Sequence, residues 1–105
     1  MTHIEFRKIL IERITKMQDT LDSKGKEYAS DEDRLHNFKS SEQFSDREAA
    51  ANCWGFLVKH LTSLRDIVNR YEDFGVMPTP GTIDEKIGDA INYLVLLEAI
   101  FRENQ

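Results

Sequence analysis

The segment from Ile83 to Phe101 is apolar almost all the way round, and a helix of that kind must be covered on more than one side. At 3.6 residues per turn, Ile83, Ile87, Ile91, Leu94 and Phe101 fall on one face, while Tyr93, Leu96, Leu97 and Ile100 fall on another. Two apolar faces require a bundle. Against this background Glu85, Asp89 and Asn92 stand out, because they share one side of the same helix and are predicted to enter a groove beside Tyr93 and Leu96. A carboxylate held in apolar surroundings needs a cation, a hydrogen-bonding partner or a shifted pKa.

Three stretches carry the capping-box spacing, a Ser or Thr followed three residues later by Glu. Thr2 with Glu5 opens a first helix to about Lys24, Ser45 with Glu48 opens a second to Phe74, and Thr82 with Glu85 opens a third to about residue 103. Gly75 stands where a left-handed residue would end the second helix, and Pro78 and Pro80 prevent its continuation. No strand-like alternation, repeat or low-complexity tract appears. The expected fold is therefore all-α: a single domain over 1–105 with three main helices, about 2–24, 45–74 and 82–103.

In the first helix Phe6, Ile9, Leu10, Ile14, Met17 and Leu21 form the apolar face, with Arg7, Lys8, Glu12 and Lys16 outside. Along the second, Trp54, Leu57, Leu61, Leu64, Val68 and Tyr71 follow steps of three and four and are expected to be its core stripe. Two such helices cannot cover both faces of the third, so self-association as a homodimer or higher oligomer is expected.

The chain has 105 residues, a net charge of -5 and one cysteine. The acidic balance argues against a general nucleic-acid binder. Cys53, without a partner for a disulfide and among apolar neighbours, reads as core filler. No apolar run reaches the roughly 20 residues of a membrane span. Met1 to Phe6 does not resemble an export signal, so a cytoplasmic location is expected.

Between the first two helices, residues 24–39 alternate acids and bases around the apolar anchors Tyr28, Leu35 and Phe38, which predicts an ordered charged loop or short helix. Hard oxygen donors at Glu85 and Asp89 suit magnesium rather than zinc, and no paired-histidine spacing supports a zinc site. A magnesium ion there would bridge to phosphates. Lys24, Lys26, Arg34 and Lys39 would neutralise the phosphate oxygens, Tyr28 or Phe38 would stack on a base, and Asn37 would read its edge. On the second helix Gly55, Lys59, Thr62 and Asp66 form a polar stripe, with an ordinary solvent face as the simpler reading. His60, at the edge of the apolar seam, reads as a half-buried histidine with a base or ligand role as the alternative. Gly55 and Gly88, each inside a helix, hint at close approach by a neighbour.

The combination Lys26-Glu27-Tyr28, Asp33 to Lys39, Lys59-His60-x-x-Ser63-x-x-Asp66 and Glu85 to Tyr93 resembles small phage and prophage proteins of the nucleotide-modification-associated type. The third helix is also similar to a metal-binding helix of MazG-like all-α nucleoside triphosphate pyrophosphohydrolases, where paired acids precede Gly-Asp and an apolar run. The resemblance implies a phage-encoded protein of a bacterial cytoplasm, linked to nucleotide metabolism. It implies a magnesium-dependent hydrolysis giving a monophosphate and pyrophosphate, with Asp89 and Glu85 as ligands. This chain departs from the pattern at Lys86, where the second acid would stand, and Lys59 to Asp66 does not supply the partner E-x-x-E. That leaves a one-metal or metal-free nucleotide site, completed by Asp66 or Glu27. The alternative expectation is a non-catalytic phage accessory bundle that binds another protein, with Asp89 and Asn92 as a buried polar network fixing helix register.

Overall fold

A computed structural model describes residues 1–28, 35 and 48–105, for 24–28 the backbone only. The described residues form three helices: α1, His3–Tyr28; α2, Ala49–Phe74; and α3, Pro80–Glu103. The described residues contain no strand. The all-α bundle expected from the periodicity is what forms, with shifted helix ends.

The first capping box closes as the sequence predicts. Glu5 N–H donates to Thr2 Oγ1 at 3.1 Å, and Thr2 N–H donates to Glu5 Oε2 at 2.7 Å. The other two boxes do not start their helices. At α2, Glu48 occupies the cap position without a side-chain capping bond, and the helix begins at Ala49 rather than 45; Ser45 lies outside the described residues. At α3, Thr79 is the cap, accepting from Thr82 N–H at 3.1 Å, so the helix begins at Pro80. Proline is preorganised for the first helical position, and Thr79 is the hydroxyl next to it. Glu85 therefore sits beyond the first turn and is not a capping acid. Gly75 takes the left-handed conformation at φ 67°, and its N–H donates to Tyr71 O at 2.9 Å to end α2.

α1 runs past Lys24 to Tyr28, through Gly25. Lys24, Lys26 and Tyr28 thus belong to its last turns and not to a loop, a correction that follows from local helical continuity overriding one glycine. The remaining candidates of that stretch, Arg34, Asn37, Phe38 and Lys39, lie outside the described residues. Leu35 is an anchor as expected, buried in a cluster with Ala49, Cys53 and Ile100.

Helix α3 is the hub. α2 packs antiparallel along it, through Ala49, Cys53 and His60 on one side and Tyr93, Leu96, Leu97 and Ile100 on the other. The contact line runs through Ala49 and Cys53 rather than along the whole of the expected core stripe. Leu57 is fully buried, but Trp54, Leu61, Val68 and Tyr71 remain largely exposed. The α1 face is likewise only partly used: Met17 and Leu21 are half-buried, whereas Phe6, Ile9, Leu10 and Ile14 are bare.

Candidate functional site

A groove of about 270 Å3 runs between α1 and the first half of α3. α1 contributes Arg13, Lys16 and Asp19 to its walls, and α3 contributes Asp84, Glu85, Asp89 and Asn92. The four-residue step from Glu85 to Asp89 and the three-residue step to Asn92 put these side chains on one face, as the sequence indicated. Tyr93 and Leu96, expected in the same groove, turn instead toward α2. One helical step of 100° separates Asn92 from Tyr93, which is enough to send them to different neighbours.

The strongest polar contact involves a residue the sequence reading passed over. Asp84 Oδ1 lies 3.1 Å from Arg13 Nη2 and 3.1 Å from Lys16 Nζ. Arg13 Nη1 also donates to the Asp84 backbone carbonyl at 3.3 Å. The hydrogen bond from Lys16, with the charge of Lys16 and Arg13, holds the Asp84 carboxyl below the usual carboxylate range against the opposing effect of burial. Lys16, assigned to the outer face from periodicity, is exposed as expected, with its side chain 53% accessible, yet its ammonium reaches Asp84 across the groove. A sequence signal did exist: Gly88 lies one turn after Asp84, and a Cβ there would stand 2.8 Å from Arg13 Nη1. The close approach expected at Gly88 is made by this guanidinium. Gly55 has nothing within 4 Å.

Asp89 is poised between the two flanks of α3. It lines the α1 groove and its Oδ2 lies 3.8 Å from His60 Nδ1 on α2. The His60 ring stacks on Tyr93 with centroids 5.0 Å apart, and Phe56 stacks on the same ring at 6.0 Å. His60 is half-buried, the simpler of the two roles expected for it. Burial, with Asp89 and Cys53 nearby, raises the Tyr93 hydroxyl pKa. Asn92 Oδ1 is buried and meets no hydrogen-bond donor among the described residues. Most buried acceptors are paired, so this oxygen is an unmet demand for a donor or a cation at the groove.

The other candidates are dispersed. Glu85 is mostly exposed, 4.0 Å from Lys86 Nζ. Lys59 is exposed on α2 with its Nζ 5.7 Å from the Phe56 ring centroid. Asp66 is exposed on α2 and does not line the groove. Among the described residues no group of three or more His, Cys, Asp or Glu side chains is placed to hold a metal. Glu85, Asp89 and Asn92 offer a smaller oxygen set, of a kind that fits a hard ion sharing its shell with ligand phosphates and water. Cys53 is buried, donates weakly to Tyr93 O at 3.6 Å, and has its pKa pushed up to about 11 by burial. It is core filler, as read.

No helix among the described residues is long and apolar enough to cross a membrane. Compared with family models, with curated proteins and with solved structures, the chain has no match in any of the three.

Proposed function

We propose that this protein binds a nucleotide in the α1–α3 groove, with magnesium shared between the groove oxygens and the phosphates. The observation that carries the reading is the Asn92 Oδ1 atom, buried with no donor among the described residues, on the residue that lines the groove beside Asp89. Glu85, Asp89 and Asn92 would hold the ion, and Arg13 and Lys16 on the facing wall would supply positive charge next to the phosphates. His60 of α2 lies beside Asp89, its Nδ1 3.8 Å from Asp89 Oδ2, and would help to position that carboxylate when the groove is filled. The sequence resemblance to nucleotide-modification-associated and MazG-like proteins supports the same ligand class. It also supports phosphoanhydride hydrolysis as the reaction, in a phage-encoded protein of a bacterial cytoplasm. A bound ion would supply Lewis-acid polarisation of a phosphoryl oxygen.

Thermal unfolding with magnesium and a panel of nucleoside mono-, di- and triphosphates tests this. Saturating ligand is expected to raise stability by about 3 kcal/mol at a hundredfold excess over Kd, and Asp89→Asn is expected to abolish the rise. Absence of any rise across the panel defeats the proposal.

The second reading is a non-catalytic accessory bundle that works through protein contacts, favoured by the extent of bare apolar surface on all three helices. It predicts no nucleotide response in either form, together with a change in oligomeric state when Asp89 is replaced by Asn.

A further inference from the structure

Two rows of apolar side chains are left unpartnered, and their spacing is that of helix-to-helix packing. On α2, Trp54, Leu61 and Val68 recur every seven residues; on α3, Ile87, Leu94 and Phe101 do the same, with Ile83 one turn earlier. All seven are between 38% and 55% exposed.

Their direction follows from helical geometry. α2 meets α3 through Ala49, Cys53 and His60, and α3 meets α2 through Asp89, Tyr93, Leu96 and Ile100. At 100° per residue, the exposed row lies roughly 100° from the contact line on α2 and roughly 125° from it on α3, in the same rotational sense on both helices. Because the helices are antiparallel, both rotations fall to the same side of the pair. α1 docks on the opposite flank of α3, through Asp84 and Gly88. The α2–α3 pair therefore presents a continuous two-helix apolar face that α1 does not reach.

We propose that this face is a homodimer interface, in which the rows of two copies interdigitate about a two-fold axis to complete a four-helix core. The face is self-complementary, each copy bringing one row from an ascending and one from a descending helix, as an isologous contact requires. At the observed exposures the seven side chains leave roughly 700 Å2 bare per copy, so pairing removes on the order of 1,400 Å2, the size of a specific interface. The α1–α3 groove stays open in this dimer, so the inference stands independently of what the groove binds.

Sedimentation equilibrium of the full chain is expected to give twice the 12.2 kDa chain mass. Leu61→Glu/Leu94→Glu should sediment as a helical monomer, while Phe6→Glu/Leu10→Glu, on the bare α1 face, should remain dimeric. The single tryptophan, Trp54, reports on the wild type without any substitution. On dilution through the dissociation constant its emission should move to the red and its quenching by acrylamide should rise several-fold. A monomeric wild type overturns the proposal, and shielding of Trp54 in that monomer would mean that another part of the chain covers the face. A dimer that survives Leu61→Glu/Leu94→Glu, one broken only by the α1 substitutions, or a Trp54 signal unchanged across dissociation also overturns it.

Discussion

The guanidinium of Arg13 occupies the space that a side chain at Gly88 would need: a Cβ on residue 88 would lie 2.8 Å from Arg13 Nη1. One turn earlier on the same face, Asp84 engages both terminal nitrogens of that guanidinium, its carbonyl accepting from Nη1 and its carboxylate pairing with Nη2. The absent side chain and the acid together form the seat in which α1 docks on α3.

This seat separates two glycines that look alike in sequence. Gly55→Ala meets nothing within 4 Å and should stabilise the protein by about 1 kcal/mol through helix propensity. Gly88→Ala should gain less or lose stability, because Arg13 must leave its place. Equal gains in urea unfolding at both positions would contradict the close approach.

Asp84→Asn should loosen α1 while leaving the α2–α3 pair intact, read as several-fold faster amide exchange over residues 13–21 alone. Acid should do the same. The folded carboxyl titrates below its ordinary value of 3.8, so its contribution is complete above that pH and is lost as pH falls through the lower, folded value. Exchange at α1 that is insensitive to pH in this window would show that the ion pairs do not hold the helix.

Thr79 and Thr82 should respond differently to replacement by alanine. Thr79→Ala removes the bond that caps α3 and should cost about 1 kcal/mol; Thr82→Ala should cost clearly less. The reverse order in thermal unfolding would favour a helix start at 82.

Asn92→Leu replaces a buried acceptor that meets no donor among the described residues by an apolar side chain of similar size. The free protein should be unchanged or more stable by up to about 1 kcal/mol, while any stabilisation by magnesium and nucleotide disappears. A loss of about 2 kcal/mol or more in the free protein would mean that Asn92 is hydrogen-bonded in its native state.

Cys53 should be inert to thiol reagents at pH 8 in the folded protein and react fully in denaturant, since it is buried with a pKa near 11. Rapid modification of the native chain would be incompatible with that packing.

The sequence by itself determined the three helices, the closed Thr2–Glu5 box, the left-handed stop at Gly75, the burial of Cys53 and the shared face of Glu85, Asp89 and Asn92. Each depends on residues within a few turns of one another, so period and capping chemistry suffice. The same local rules misplaced two helix starts, because a hydroxyl and a glutamate at the right spacing also occur one turn away from the true cap. Only the tertiary structure decided that α2 turns Ala49 and Cys53, rather than its whole heptad seam, toward α3. It alone also brought Arg13 and Lys16 onto Asp84. Arg13 and Asp84 are 71 residues apart, and which charged side chain ends in a groove depends on how two helices rotate and slide against each other. A periodic pattern read along one helix does not contain that rotation, because it depends on how the ridges of two helices interlock.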